Sequence, residues 1–98
     1  MGWIRSLFGR SPAAPVEVVL YTRPGCGLCE EMKEAMRSAG VEGHYVLREI
    51  DIDGERALKK RYGLRIPVLD VAGVEAFEGR LEPAAFRAEV RKASRRTS

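Results

Sequence analysis

The sequence predicts an α/β domain whose strands and helices follow one another in the order β-α-β-α-β-β-α. Three observations carry this prediction. A buried-strand pattern ends just before two cysteines spaced three apart, and a helical pattern begins at them. Downstream, the spacing of apolar residues alternates between the period of strands and that of helices. A proline then opens a late strand, where a sheet tolerates it because proline has no N–H to contribute.

The first half of the domain is expected to contain two strands and two helices. The strands are predicted over residues 17–22 and His44–Asp51. The first helix should cover residues 27–39, with Gly40 as its stop. Its apolar face is formed by Leu28, Met32, Ala35, Met36 and Ala39. A short helix over residues 54–62, capped by Asp53 and ended by Gly63, should follow.

The second half reads as a hairpin and a final helix. A strand is predicted over Ile66–Val71, and after a turn at Ala72-Gly73 the chain should return antiparallel from Val74 to Phe77. Pro83 suits the first turn of the last helix. The apolar residues of that helix are Leu81, just before it, and Ala85, Phe86 and Val90.

Size and charge bound the class of protein. The 98 residues, 45% of them apolar, predict one globular domain, with no apolar run near the roughly 18 residues of a membrane span. Two cysteines without an export signal predict a reducing cytoplasm. The net charge is +3, but residues 91–98 carry +4 and residues 1–12 carry +2, so the stretch between them carries −3. The basic balance therefore does not predict nucleic-acid binding.

The two ends are expected to lie outside the folded domain of residues 16–92. Residues 1–15 read as an arm and linker, and the basic residues 93–98 as a solvated tail. The arm contains an apolar cluster with two arginines, formed by Trp3, Ile4, Arg5, Leu7, Phe8 and Arg10. Two uses of the arm stay open: weak contact with a membrane or partner, and a flexible segment or a cover for the domain's own surface.

Cys26 and Cys29 are the residues with redox chemistry. Thiol–disulfide exchange needs a thiolate, and Cys26 lies at the mouth of a helix, where unpaired N–H groups and the helix dipole favour negative charge. Arg23 can add positive charge, so the pKa of Cys26 should fall moderately, with Glu30 and Glu31 opposing a larger shift. Cys29, one turn inside the helix, is the expected resolving thiol.

Zinc binding and a structural disulfide are the alternatives to redox chemistry. A tetrahedral zinc site needs four ligands, whereas this chain has one cysteine pair and a single histidine, His44. A bridge between residues three apart closes a very short loop and gains little loop-closure entropy, so it would be a poor staple. We therefore expect a reactive pair and no metal or organic cofactor.

Pro67 is the second informative residue. Its plainest role is to open a strand. If the Ile66–Pro67 bond is cis, the chain bends sharply and can press against the thiol pair. The backbone N–H and C=O of Ile66 would then point outward, able to pair with an extended substrate.

The motifs together resemble the glutaredoxins of the thioredoxin superfamily. The resemblance rests on Thr22-Arg23-Pro24-Gly25-Cys26-x-x-Cys29, the helix after it and the later Arg65-Ile66-Pro67. It covers roughly residues 16–92 and is strongest to small bacterial glutaredoxin-like proteins. It implies a four-stranded mixed sheet flanked by helices, Cys26 as nucleophile, Cys29 as resolving thiol and Pro67 as a cis-proline.

The sequence departs from the glutaredoxin pattern at three places. Gly27-Leu28 lies between the cysteines instead of Pro-Tyr, and Arg65-Ile66-Pro67 replaces Thr-Val-Pro. In the family, a Gly-Gly followed closely by Asp holds the γ-glutamyl end of glutathione. Here that place reads Phe77-Glu78-Gly79-Arg80-Leu81-Glu82, and one glycine remains. Arg80 has the wrong sign to hold an amino group, so specific use of glutathione is expected to be weak or absent.

The expected function is that of a cytoplasmic, monomeric dithiol–disulfide oxidoreductase in cell redox homeostasis and electron transfer. Cys26 and Cys29 would be catalytic, while Arg23, Ile66 and Pro67 would bind substrate. The substrates would be disulfides of proteins or small thiols, and the reductant glutathione or a thioredoxin-reductase-like enzyme. Two alternatives stay open: an iron–sulfur cluster shared by two chains, and an interaction domain without catalysis.

Overall fold

The computed structural model describes residues 14–97 and contains one mixed sheet of four strands. The strands are β1 (Val16–Thr22), β2 (Tyr45–Asp51), β3 (Val68–Val71) and β4 (Val74–Glu78). Their order across the sheet is β2-β1-β3-β4. β1 pairs parallel with β2 and antiparallel with β3, and β3 pairs antiparallel with β4. This is the four-stranded mixed sheet that the sequence predicted.

Three helices connect and cover the strands. They are α1 (Gly27–Arg37), α2 (Arg56–Tyr62) and α3 (Pro83–Thr97), and a 3-10 turn (Ile52–Gly54) links β2 to α2. The parallel pair β1 and β2 is joined through α1, as a parallel connection requires. The order β-α-β-α-β-β-α is confirmed. No helix among residues 14–97 is long and apolar enough to cross a bilayer.

The sheet separates two apolar layers because successive strand residues face opposite sides. One layer packs α1 and α3 on the sheet, with Val18, Leu20, Met32, Met36, Phe86 and Val90 buried in it. The Phe86 ring meets the Tyr45 ring edge to face, with centroids 5.0 Å apart. The second, smaller layer lies under α2 and is formed by Ile52, Tyr62 and Val68, with Tyr21, Leu58 and Ile66 against them.

The connection between β2 and α2 differs from its prediction. Asp53 does not cap α2; instead the Asp51 carboxylate accepts a hydrogen bond from the Asp53 N–H at 2.9 Å. The 3-10 turn delays the helix to Arg56, and its N-cap residue, Glu55, makes no side-chain cap bond. The Asp53 carboxylate is thereby free to pair with Arg23. A one-turn insertion of this kind leaves no apolar periodicity for the sequence to reveal.

Smaller differences concern where elements begin and end. α1 stops at Arg37, two residues early, and His44 precedes β2, with its carbonyl accepting from the Val16 N–H at 2.9 Å. Leu28 is 38% exposed rather than part of the core, because the first turn of α1 belongs to the open end of the sheet. The predicted arm lies outside the described residues, apart from Ala14 and Pro15.

The basic segment predicted as a solvated tail is helical to Thr97. Ala93 is completely buried and continues the apolar stripe of Phe86 and Val90 at helical spacing. A single alanine among four cations gave the sequence no apolar signal. The helix is therefore packed on the core as far as Ala93.

Candidate active site

Cys26 is the N-cap residue of α1. Its backbone is extended, with φ −85° and ψ 105°, and its Sγ accepts a hydrogen bond from the Cys29 N–H at 3.1 Å. Sulfur thus takes the place of the oxygen that serine or aspartate supplies at an N-cap. Gly25, with φ +78°, turns the chain into this position, a conformation open to glycine without steric cost. The sulfur atom therefore lies among the free N–H groups of the first turn.

The two cysteines form a disulfide across the first turn of α1. Their Cα atoms are 5.3 Å apart, well inside the range that a disulfide spans. The exposure of the two residues is unequal: Cys29 is 1% exposed, whereas Cys26 is partly exposed. A sulfur from another molecule can therefore reach Cys26 far more easily than Cys29.

The Ile66–Pro67 bond is cis, as predicted, and Pro67 is buried. The Pro67 carbonyl accepts from the Gly79 N–H at 2.8 Å, which joins the start of β3 to the end of β4. One expectation is wrong: the Ile66 N–H does not point outward but donates to the Tyr62 carbonyl at 3.1 Å. The end of α2 thus takes up the donor that the sequence reasoning assigned to a substrate.

Arg23 is paired with a carboxylate rather than with the cysteines. Its Nη2 lies 3.0 Å from Asp53 Oδ1, and its Nε donates to the same oxygen at 3.3 Å. Both side chains are about one-third exposed or more, so the pair itself contributes roughly 0–1 kcal/mol. Support of a Cys26 thiolate by Arg23 stays a prediction, and it would act through space rather than by contact.

The turn between β4 and α3 lies beside α1. Gly79 has φ +80°, and Arg80 forms an exposed ion pair with Glu31 of α1 at 3.3 Å. A shallow cavity of about 160 Å³ here is lined by Glu31, Met32, Gly79, Arg80, Leu81 and Glu82. The departure from the glutaredoxin pattern at Arg80 therefore lies against the same helix that carries the cysteines.

A larger groove, which we call the basic groove, was missed by the sequence reasoning. Its volume is about 510 Å³, and it is lined by Arg23, Lys59, Lys60, Arg61, Gly63, Leu64 and Arg65. The signal was present, because residues 56–65 contain five cations and no acid. The net charge of −3 over the central stretch concealed this local cluster of cations. The basic balance is therefore not confined to the two ends.

Asp70 of β3 is a partly buried acid on the α2 side of the sheet. Its Oδ1 is inaccessible and has no hydrogen-bond partner among the described residues. Burial raises the pKa of this carboxyl, and Glu75 adds to the shift. Burial also raises the pKa of Tyr21 to about 12, and its ring stacks on Tyr62 with centroids 4.1 Å apart. This cluster lies on the opposite side of the sheet from α1, the helix that carries Cys29.

The described residues contain no group of three or more His, Cys, Asp or Glu side chains placed to hold a metal ion. At the open end of the sheet the arrangement offers the chemistry of the cysteine pair. Once the bridge between them is reduced, a partly exposed sulfur at a helix N-terminus and a buried sulfur one turn away can pass two electrons to an external disulfide.

Comparisons with known proteins agree with this geometry. The model of the Glutaredoxin-like domain (DUF836) family matches residues 17–91. The chain is therefore a glutaredoxin-like protein of the thioredoxin superfamily, and it belongs to that family.

Several solved structures resemble the chain, among them the three that follow. The X-ray structure of target protein XcR50 from X. campestris is 30% identical, has a TM-score of 0.66 and covers 78% of this chain and 97% of its own. The solution structure of protein Ne2328 from Nitrosomonas europaea is 34% identical, with a TM-score of 0.65 and coverages of 76% and 91%. A mutant thioredoxin from Halobacterium salinarum NRC-1 is 23% identical, with a TM-score of 0.57 and coverages of 81% and 74%. The last supports the fold alone.

Proposed function

We propose that this protein is a dithiol–disulfide oxidoreductase that reduces disulfides of proteins or small thiols. The observation that carries the proposal is the inequality of the two sulfurs: Cys26 is partly exposed at the N-cap of α1, and Cys29 is buried one turn inside. Catalysis by exchange needs one accessible thiolate and one thiol held in reserve. A structural staple needs neither property.

The reduced protein would act in two steps. The Cys26 thiolate attacks one sulfur of the substrate disulfide, that S–S bond breaks, and the other substrate sulfur leaves as a thiolate that takes a proton from water. The Cys29 thiolate, its proton given to solvent, then attacks the Cys26 sulfur. The mixed disulfide breaks, and the second substrate sulfur leaves as a thiolate that takes a proton from water. The substrate disulfide has then gained two electrons, and the protein dithiol has been oxidised to the Cys26–Cys29 disulfide.

The first turn of α1 stabilises the attacking group. The Cys29 N–H that now reaches Cys26 Sγ at 3.1 Å would donate to a thiolate at the same place, and hydrogen bonds to a charged acceptor are the stronger kind. The helix dipole acts in the same direction. Arg23 adds positive charge nearby.

The backbone beside Pro67 would bind an extended substrate. The Ile66 carbonyl, rather than the Ile66 N–H, is the group available for this hydrogen bond.

The cycle closes when another reductant opens the Cys26–Cys29 disulfide. Glutathione or a thioredoxin-reductase-like enzyme would supply the electrons, in a reducing cytoplasm. The protein would act as a monomer. The weak use of glutathione expected from Arg80 favours the enzyme as the main reductant.

Single-cysteine variants test the proposal. Cys29→Ser should accumulate a mixed disulfide on Cys26 when mixed with a protein disulfide, whereas Cys26→Ser should accumulate none, and mass spectrometry of the non-reduced proteins reads both. Trapping by Cys26→Ser instead would reverse the roles of the two cysteines. The absence of any disulfide reduction by the unmodified protein would leave the interaction domain as the better description, and visible absorbance after anaerobic purification would indicate the shared cluster.

A further inference from the structure

The basic groove carries more positive charge than the fold itself neutralises. Arg23 pairs with Asp53, and Arg65 pairs with both Glu75 and Glu78. Arg61 lies 3.7 Å from Glu75. Lys59 and Lys60, which line the groove, are exposed and make no ion pair with any described residue, and the same holds for Arg56, one turn earlier on α2 and outside the groove lining. Their charge is therefore available to another molecule.

These three cations are arranged in a way that suits an extended chain. Residues spaced three and four apart share one face of a helix, so Arg56, Lys59 and Lys60 lie together along α2. One helical turn advances about 5.4 Å, close to the roughly 6.6–6.8 Å between alternate side chains of an extended strand. Acidic side chains at alternate positions of a bound segment would match this spacing.

Leu64 adds an apolar contact to the basic groove. Its relative exposure is 104%, so its whole side chain is open to solvent although it lines the groove between cations. A single exposed leucine is ordinary. An apolar side chain ringed by charges, however, has the arrangement of a protein–protein interface, in which an apolar centre is surrounded by a polar rim.

The position of the basic groove relates it to Cys26. Arg23 lies in the groove and precedes Cys26 by three residues, so their Cα atoms are at most about 11 Å apart. Arg65 precedes the cis Pro67 by two residues. When the disulfide of a substrate protein is bound at Cys26, the substrate residues next to its cysteine would therefore reach the basic groove.

We propose that the basic groove binds an acidic segment of the protein whose disulfide is reduced at Cys26. Acidic side chains of the segment meet Lys59 and Lys60, and an apolar side chain meets Leu64. This inference rests on the proposed oxidoreductase function and names its substrate class. A ligand as small as glutathione, bound at Cys26, would leave most of the free charge on α2 without a partner, so the surface fits a longer segment.

Binding of cysteine-free peptides tests the groove independently of catalysis. The probe is a fluorescent peptide in which Glu alternates with Leu and Gly, and its counterpart carries Lys in place of Glu. Anisotropy should show that the full-length protein binds the acidic peptide, that added salt weakens this binding, and that the Lys peptide does not bind. Equal binding of both peptides, or of neither, would overturn the proposal.

Matched variants locate the contact. Lys59→Glu/Lys60→Glu should weaken binding of the acidic peptide about tenfold, since two attractions become repulsions. Lys92→Glu/Arg96→Glu makes the same change in net charge on exposed positions of α3 and should leave binding nearly unchanged. Leu64→Ser should weaken binding without altering charge. Lys59→Gln/Lys60→Gln, which avoids new acids near the C-terminus of α2, should give a smaller loss in the same direction. Thermal melts confirm that each variant is folded.

Kinetics separate this inference from the proposed function. Acidic and basic versions of one disulfide peptide should be reduced with different kcat/KM, and Lys59→Glu/Lys60→Glu should remove the preference. Reduction of both peptides at equal rates, with no binding of the acidic peptide, would contradict the role proposed for the basic groove and leave the oxidoreductase function standing. Binding of the acidic peptide without reduction of any disulfide would contradict the oxidoreductase function instead. Tighter binding of a single-stranded oligonucleotide than of the acidic peptide would assign the groove to nucleic acid and overturn the inference.

Discussion

Cys26 serves the fold and the chemistry with one atom. Its Sγ satisfies the Cys29 N–H at the start of α1 and is also the accessible half of the disulfide. A residue with this double role cannot be replaced without disturbing the helix, unless the replacement also caps it. The stability of Cys26 variants therefore reports on the cap separately from the redox chemistry.

Cys26→Ser and Cys26→Ala should differ in stability by about 1 kcal/mol, within the 0.5–2 kcal/mol range of N-cap replacements. Serine keeps an acceptor for the Cys29 N–H, and alanine does not. Both variants lack the disulfide and leave Cys29 reduced, so the comparison isolates the cap. Urea unfolding in a reducing buffer measures it, with Leu28→Ala as a control in the same exposed turn. Equal stability of the serine and alanine variants would show that the capping bond contributes nothing.

Asp70 gives the stability of the protein a dependence on pH. Burial raises the folded-state pKa of this carboxyl above the unfolded value of about 3.9. Its neutral form therefore favours the fold, and that contribution is complete below about pH 4 and is lost as the pH rises through the folded-state pKa.

Asp70→Asn should accordingly stabilise the protein at pH 7 by about 1 kcal/mol, because a charge is no longer held in a partly buried position with one oxygen unpaired. The gain should shrink towards pH 3, where aspartate is itself neutral. Thermal unfolding of both proteins across that range is the measurement, and Glu89→Gln, a change in α3 away from Asp70, is the control. A gain that does not vary with pH would mean that ionisation of Asp70 is not the cause.

At the scale of elements, α1 and α3 are tied by a side chain as well as by the core. Arg87 of α3 donates to the Ala39 carbonyl just beyond α1 at 2.9 Å. The last carbonyls of a helix lack partners within the helix, and a cation there also suits the dipole. The tie fixes the end of the helix that begins at Cys26.

Arg87→Met should cost about 1–3 kcal/mol, the range for a hydrogen bond from a charged donor. Methionine keeps most of the apolar stem, so the loss reports the bond rather than packing. Lys92→Met on the exposed side of α3 is the matched control and should change stability by less than about 0.5 kcal/mol. Chemical denaturation measures both. A loss of equal size in the two variants would remove the role assigned to Arg87.

The elements that could be predicted from the sequence are those with a clear local signal. β1, α1 and the β3–β4 hairpin follow from apolar period, glycine and proline, and the cis bond at Pro67 followed from the family resemblance. Prediction from the sequence failed where a residue's contact depends on a partner distant in the chain. The pairing of Arg23 with Asp53, thirty residues away, is an example. The burial of Ala93 against the sheet is another. The use of the Ile66 N–H by the Tyr62 carbonyl is local, four residues back, but it depends on where α2 ends, which the sequence did not settle.

At the scale of the whole molecule, four parts of the chain meet at one end of the sheet. The exit of β1 and the start of α1 supply the cysteines, the segment before β3 supplies Pro67, and the turn after β4 is held to Pro67 through the Gly79 N–H. The groups that flank the thiols differ in sign on the two sides. The basic groove lies on the α2 side, and the cavity between α1 and the β4–α3 turn is lined by Glu31, Arg80 and Glu82.

Reduction of a glutathionylated peptide should therefore be slow compared with reduction of a protein disulfide. Glu78-Gly79-Arg80-Leu81 stands where glutaredoxins carry a Gly-Gly-x-Asp element that holds the γ-glutamyl end of glutathione. Arg80 has the wrong sign to hold the amino group, and its charge is only partly offset by its exposed pair with Glu31. Arg80→Asp should raise turnover of the glutathionylated peptide by about two- to fivefold, as expected of one exposed ion pair, and should leave protein disulfide reduction unchanged. Arg48→Asp on the exposed edge strand β2 has the same change in charge and should affect neither.

The measurement is the rate on each substrate with a common reductant. If the unmodified protein turns over the glutathionylated peptide faster than the protein disulfide, or if Arg80→Asp slows it, then Arg80 is meeting a glutathione carboxylate and the chain is a working glutaredoxin.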